Sequence, residues 1–328
     1  MASMFLDDTV SMTRCFSPRQ ASLNIDQSHI SDFMTHSSSK THSSLVATHP
    51  RNIKIDTLSL DIISTGGHYT CIQIPNKKIV IDMGICPQNS IRANNVLFTH
   101  PHIDHMSAVM QHVSTREMLS LKNTKYFVEK QHKENFESMM SAWRKLSFCD
   151  LKCSIVGMEP QKRQHIERGI SVIPFRSVHR IPCLGYSFVE QRKKLLPEYQ
   201  NCTSREIVQA KKQNKDVSYT FDEHILSVTG DTTHHVFDQN PGIFDSKVIV
   251  TEVTFFCDKI IPEKAQKRGH MHIYDLIPYE EQLQGSTLVV MHVSTRYSTS
   301  EVNKIVHNVL PKNMRENMII VPHDHVLR

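Results

Sequence analysis

The sequence predicts an α/β layered fold, and three observations predict it. Short apolar runs of strand length recur at 58–63, 70–74, 79–84, 126–128, 151–158, 170–175, 225–228, 248–250 and 287–292. Helical apolar spacing fills the gaps at 107–122 and 131–147. Residues able to bind a metal or a proton stand where apolar runs stop, at Asp82, His100, His179, Asp231, Glu252 and His292. Strands that alternate with helices and collect polar chemistry at their ends describe an α/β protein.

The bulk properties set the frame. A chain of 328 residues can build one large domain with a proper core. Its 39% apolar and 22% charged content is that of a soluble globular protein, and its net charge of +5 is compatible with a polyanionic partner. The eight cysteines include no Cys-x-x-Cys pair, which reads as reduced thiols in a cytosol-like compartment. Cys149 and Cys153 are one helical turn apart but lack the two further partners a structural zinc needs. No apolar run reaches bilayer-spanning length, so no membrane association is expected.

Residues 1–50 hold 11 Ser, 5 Thr and 4 His with no sustained apolar period. They are expected to form a disordered tail ahead of a domain at 51–328. The tail has four Asp against three basic residues, unlike an acid-poor transit peptide, so a cytoplasmic or nuclear location is favoured over organelle targeting by the tail. Order begins near Ile53. Leu58–Ile63 alternates as a strand, Ser64–Gly67 turns, Thr70–Ile74 is the next strand, and Ile79–Gly84 is a third, containing Asp82. Asp82 reads either as a loop brace or as an acid that orients a neighbouring ligand. Trp143, on the 131–147 helix, is expected in the core.

The stretch 94–112 organises the chain. Val96, Leu97 and Phe98 end a buried strand and run into His100, His102, Asp104 and His105, four potential ligands within six positions. Met106, Val109 and Met110 then resume helical spacing, so the ligands lie on a loop between strand and helix. Imidazole with carboxylate and no sulfur suits zinc. Four ligands cannot complete two tetrahedral ions. His179, Asp231 and His292 are the candidates for the remainder: His100, His102 and His179 around one ion, Asp104, His105 and His292 around the other, with Asp231 bridging. Spacing alone does not fix that assignment.

Residues 190–216 differ in texture. Seven basic residues, among them Arg192, Lys193, Lys194, Lys211, Lys212 and Lys215, face four acidic ones, and apolar residues are too few for an independent core. The segment reads either as a solvated helical excursion or as a basic arm for a phosphate backbone.

Several motifs then occur together. They are Ser64-Thr-Gly-Gly-His-Tyr-Thr-Cys71, Ile81-Asp-Met-Gly-Ile-Cys-Pro87, Thr99-His-Pro-His-Ile-Asp-His105, and His179 with Leu184-Gly-Tyr186. Thr229-Gly-Asp-Thr-Thr233, Arg268-Gly-His-Met-His272 and His292-Val-Ser-Thr-Arg-Tyr297 complete the set. In this order the chain resembles a metallo-β-lactamase-fold hydrolase, and within that superfamily ribonuclease Z, the tRNA 3′-processing endonuclease, in its short plant-type form. The resemblance covers about residues 53–325.

It implies a four-layer αβ/βα sandwich with two zinc ions per subunit at its edge, manganese or another divalent ion being the alternative. It places the seven ligands above, with Asp104 also catalytic. Two ions about 3.5–4 Å apart can lower the pKa of a shared water from 15.7 toward about 7. Hydroxide attack on phosphorus would then leave a tRNA 3′-hydroxyl and a 5′-phosphorylated trailer. His270 becomes the donor of a proton to the departing oxygen, Glu252 the acid that orients it, and Ser294 and Arg296 the holders of phosphate oxygens. The 190–216 segment falls where the family inserts an arm that grips precursor tRNA across a homodimer.

The chain departs from the family pattern at Thr251-Glu-Val-Thr254, in place of His-Glu-Ala-Thr, and at Ser107-Ala108, in place of a glycine pair. The family's Pro-rich basic loop is absent. The competing readings are a thioesterase-type small-molecule hydrolase on the same scaffold and a non-catalytic RNA-binding relative.

Overall fold

The computed structural model describes residues 52–324. The expected disordered tail at 1–50 lies outside them. Among the described residues, fourteen strands form two seven-stranded sheets. The first contains β1 (Asn52–Ile55), β2 (Leu58–Thr65), β3 (Tyr69–Ile74), β4 (Ile79–Ile81), β5 (Asn95–Leu97), β6 (Thr124–Glu129) and β7 (Cys153–Met158), in sequential order. The second contains β8 (Gln164–Glu167), β9 (Ile170–Ser177), β10 (Cys183–Leu195), β11 (Ser218–Val228), β12 (Val248–Glu252), β13 (Thr287–Met291) and β14 (Met318–Ile320), also in sequential order.

Each sheet opens with four antiparallel strands and continues as four parallel ones, the fourth shared. In the first, β1 to β4 are antiparallel and β4 to β7 parallel. In the second, β8 to β11 are antiparallel and β11 to β14 parallel. The chain thus runs twice through one topology. Parallel strands need crossovers, and helices supply them on the outer faces.

Three apolar clusters mark the three interfaces of a four-layer α/β/β/α sandwich. One joins inward residues of both sheets, among them Leu60, Ile62, Ile72, Leu97, Tyr186, Phe188, Val250 and Met291. Another packs helix α1 (Ile103–Met106), α2 (Val109–Met118) and α3 (Lys133–Ser147) on the first sheet through Val109, Val113, Phe136 and Met140. The third packs the helix Thr299–Val309 and its neighbours on the second sheet through Val302 and Val306. Strand β2 shows the sequence logic: Leu58, Leu60 and Ile62 are buried while Ser59, Asp61 and Ile63 are half-buried.

The expected core position of Trp143 is not found, since its side chain is 43% exposed. The buried stripe of α3 is Phe136 and Met140, and its last turn is tied down by Arg144, which donates to the carbonyls of Asp150 and Leu151. The indole is left on the rim.

At 190–216 the chain is neither a purely helical excursion nor loop. Strand β10 loses its β9 partner after Glu190 but stays paired with β11 from Gln191↔Asp222 to Leu195↔Ser218. This two-stranded extension leaves the sheet and is closed by α4 (Ser204–Lys212), which starts on a capping box between Thr203 and Glu206. Among the described residues no helix is long and apolar enough to cross a membrane.

Candidate metal centre

The C-terminal ends of the parallel strands share one edge, where open α/β sheets expose their ligating residues. Strand β5 runs out through Phe98, whose N–H donates to Phe127 O at 2.8 Å, and delivers Thr99 and His100, both buried. The short helix α1 then carries Asp104 and His105, with His102 at its N-cap. Two backbone contacts hold this loop against the exit of β4. Met83 N donates to His105 O at 2.6 Å, and Gly84 lies so close that a Cβ there would stand 1.9 Å from Asp104 O. Only glycine fits. Ser107, in place of the family's glycine, donates its hydroxyl to Gly84 O at 2.9 Å and reinforces the same contact.

The second half of the chain supplies His179 after β9, Asp231 after β11 and His292 after β13. The structure brings all seven expected ligands together. His100, His102, His179 and Asp231 form one group, and Asp104, His105 and His292 another, with ligand atoms within 4.8 Å of one another in each. His102 Nδ1 is 2.8 Å from His100 Nε2 and 3.3 Å from His179 Nε2. Asp231 lies between the groups: Oδ1 is 3.3 Å from His105 Nε2, and Oδ2 is 3.8 Å from His100 Nε2 and 3.5 Å from His292 Nε2. Asp104 Oδ2 is 3.4 Å from His292 Nε2 and 3.7 Å from His105 Nε2, and it accepts the Gly67 N–H at 3.0 Å.

Four of the five imidazoles have their outer nitrogen engaged, which fixes the tautomer. His179 Nδ1 donates to Gly269 O at 2.7 Å, and His105 Nδ1 to Asp82 Oδ2 at 2.7 Å. Thr99 spends its hydroxyl proton on Asp82 Oδ2 at 2.8 Å and so accepts from His100 Nδ1 at 3.0 Å. Thr254 spends its own on Glu252 Oε2 at 2.5 Å and accepts from His292 Nδ1 at 3.0 Å. Each of these four rings therefore turns its Nε2 inward. Asp82 is both of the things its sequence position allowed, since it braces the loop through Thr99 N at 2.7 Å and orients His105. Asp82 and His292 have positive φ, 58° and 62°, a conformation rare for residues with a side chain.

The electrostatics match a cation site. Burial, then the charge of His105, pushes the His100 pKa well down. Burial opposes protonation of His105, yet the charges of Asp231 and Asp82 hold its pKa well above the ordinary value. Burial opposes ionisation of Asp231 too, but the surrounding imidazoles, His105 first, keep it ionised. At this centre His105 Nε2 and Asp231 Oδ1 are buried and face each other, 3.3 Å apart. Five imidazoles and two carboxylates converging in a buried site fit a pair of divalent ions, whose charge would take the place of the His105 proton.

Beside the centre, His270 Nδ1 is 2.8 Å from Glu252 Oε1 and 3.9 Å from Asp231 Oδ2. Burial opposes its protonation, but the Glu252 carboxylate and then Asp231 push its pKa up to about 9. Glu252, fully buried at the end of β12, also accepts from Thr232 N at 2.8 Å and Met271 N at 3.4 Å. Thr251, where the family has His, points its hydroxyl to that of Thr229 at 3.0 Å, so the departure leaves Glu252 in place. His272 caps the 3-10 turn Ile273–Tyr279. Arg296 Nε donates to Ser294 Oγ at 3.0 Å.

Of the expected arm residues, Arg192 is engaged at the base of the extension by Glu190 at 2.8 Å and Glu223 at 3.0 Å. Lys193 and Lys194 lie exposed on the strand, with Lys211, Lys212 and Lys215 on α4 and the turn after it. Three participants were not picked out as ligand-orienting groups from the sequence: Thr99, Thr254 and the Gly269 carbonyl. Gly269 has φ of +78°, and a Cβ there would stand 2.7 Å from His179 Nδ1. The Gly before His270 in the quoted motif was the available signal.

No protein-family model matches the chain. It is 30% identical over 262 residues to tRNase Z TRZ2, chloroplastic, of Arabidopsis thaliana, covering 79% of this chain and 74% of that protein. It is also 30% identical over 261 residues to tRNase Z TRZ1 of the same plant, covering 79% of this chain and 93% of that protein. The metallo-β-lactamase fold protein YhfI of Bacillus subtilis superposes with a TM-score of 0.54 at 12% identity, covering 83% of this chain and 99% of that structure, a likeness of fold alone. The chain therefore belongs to the ribonuclease Z (tRNase Z) family of metallo-hydrolases, on the metallo-β-lactamase fold.

Proposed function

We propose that residues 51–328 form an endoribonuclease domain that removes the 3′ trailer of precursor tRNA. The observation that supports this most directly is the pairing of a two-group donor site with an acid–carboxylate couple. Asp231 belongs to both sets, within 3.3 Å of His105 and 3.9 Å of His270. His100, His102, His179 and Asp231 would hold one ion, and Asp104, His105, His292 and Asp231 the other, with zinc as the metal the donor set favours. When bound, such a pair acidifies a water and draws the oxygens of a phosphodiester toward the site.

The protein groups divide the remaining work. Asp104 is held by Gly67 N on the open side of the centre. His270, whose charged form the Glu252 carboxylate favours against its burial, donates a proton to the departing O3′ as the phosphorus–oxygen bond breaks. Glu252 keeps the His270 ring aimed and stabilises its charge. Ser294 and Arg296 hold the phosphate oxygens. The products are a tRNA with a 3′-hydroxyl and a trailer with a 5′-phosphate. Arg192, Lys193, Lys194, Lys211, Lys212 and Lys215 contact the tRNA backbone from the extension, across a homodimer in the cytoplasm or nucleus.

Purified protein should cut a 3′-extended precursor tRNA at a single site next to the mature 3′ end, and Asp104→Ala should abolish the cut. Both proteins are assayed with zinc present and the product ends mapped to the nucleotide. No cleavage by a protein carrying two ions would reject the reading.

A further inference from the structure

Arg268 and Arg296, near His270, make no ion pair among the described residues, although Arg163, Arg176 and Arg192 are each matched with a carboxylate. Arg268 and Arg296 instead share one aromatic ring. Their guanidinium carbons stand 5.6 and 5.3 Å from the centre of the Phe255 ring. That ring is 4% exposed, and its backbone donates to Met271 O at 3.3 Å and accepts from Ile273 N at 2.9 Å, so it is a fixed platform. The His270 ring meets it edge-on, 6.2 Å between centroids. Ser294 fixes Arg296 through Nε, whereas Arg268 is exposed on the turn just before Gly269.

A ring face attracts each guanidinium weakly at an exposed site. It does not cancel the repulsion between two of them. The two carboxylates that face His270 are already engaged: Glu252 by His270, Thr254 and two backbone N–H groups, and Asp231 by the imidazoles. Arg268 and Arg296 thus stand without an ion-pair partner among the described residues, open to anionic oxygens from outside.

We propose that Arg268 and Arg296, braced on Phe255, clamp two phosphates of one RNA strand: Arg296 with Ser294 takes the phosphate to be cut, and Arg268 takes its neighbour. Arg268 is then a substrate-positioning residue that makes the site prefer a polynucleotide to an isolated phosphodiester. The proposal rests on the nuclease reading above and adds a second phosphate subsite to it.

The test compares zinc-loaded wild type, Arg268→Ala, Arg268→Lys and Phe255→Leu on a 3′-extended precursor tRNA and on bis(p-nitrophenyl) phosphate, which has one phosphate. Arg268→Ala should raise KM for the RNA by about tenfold more than for the small diester, and lower the slope of log KM against log salt by about one unit. Arg268→Lys should restore the salt slope, because the charge is kept. Phe255→Leu, which removes the platform under both arginines, should raise KM for both substrates and by more for the RNA. Equal losses on both substrates, or no change in KM and salt slope, would overturn the clamp. Wild type that hydrolyses the small diester but not the RNA would remove the nuclease reading and the clamp together, whereas wild type that cuts RNA with Arg268→Ala unimpaired removes the clamp alone.

Discussion

Asp82 Oδ2 stands 2.7 Å from His105 Nδ1, and neither side chain is exposed to solvent. The carboxylate touches no position where an ion would sit, yet it sets the tautomer of His105 and, through Thr99, that of His100. Asp82→Ala should therefore lower metal affinity by about 10–100-fold with all seven donors intact. Metal content after dialysis against a graded chelator measures this. Retention equal to wild type would show that the imidazoles orient themselves.

His270 and Glu252 form a couple beside the seven expected donors, with His270 within ligand distance of Asp231 and His292. His270→Ala should retain both ions and lose turnover by about 10²–10⁴-fold, the usual worth of a positioned acid. Glu252→Gln should act in the same direction by lowering the pKa of His270, which the carboxylate raises. Metal analysis run beside single-turnover kinetics separates the two effects; normal turnover in His270→Ala would eliminate the assigned role.

The extension beyond Glu190 has few buried groups, chiefly Ala210 and Val217. Replacing residues 197–216 with a short glycine turn between β10 and β11 should leave the thermal transition near that of wild type. Precursor tRNA binding should weaken and its salt dependence should flatten, while a small phosphodiester is still hydrolysed. Unchanged RNA affinity would show that these lysines are merely solvated.

His112 offers a pH prediction remote from the centre. It is buried, with Nδ1 2.8 Å from the Tyr126 hydroxyl and Nε2 3.2 Å from Ser90 O. Burial first, and then the Arg116 charge, push its pKa down to about 4. The unfolded chain thus binds a proton that the folded one refuses between pH 6.5 and about 4, so stability rises with pH across that window and is lost as pH falls through it. The full contribution is roughly 3 kcal/mol. Urea unfolding of wild type and His112→Gln at pH 5 and pH 7 tests it: the difference between the two pH values should shrink in the variant.

The sequence was most informative where chemistry is compressed. His100, His102, Asp104 and His105 fall within six residues, and no ordinary loop needs that composition. His179, Asp231 and His292 were legible only as strand-end residues, which became ligands once a cluster short of donors and a family resemblance called for them. The orienting groups were harder, because the Thr254–His292 and Gly269–His179 contacts join residues 38 and 90 positions apart and depend on where the strands stop. The two-stranded extension was hidden for another reason. Beyond the sheet neither face of a strand is buried, so Gln191-Arg-Lys-Lys194 has no apolar alternation to betray it. Trp143 misled because a large aromatic on a helix usually packs inward, and here an arginine closes the turn instead.

The doubled topology has a consequence for how the protein matures. Residues 100–105 contribute four of the seven donors from the first sheet, and residues 179–292 contribute three from the second, with 188 positions between Asp104 and His292. Either proposed ion would have to draw on both. A nascent chain with only its first sheet complete would lack Asp231, which lies between the two groups, so tight loading has to wait for the later strands. Contacts of such long sequence separation form slowly. Metal retention would then report on whether the two sheets have met, and loss of the ions would loosen the seam they share.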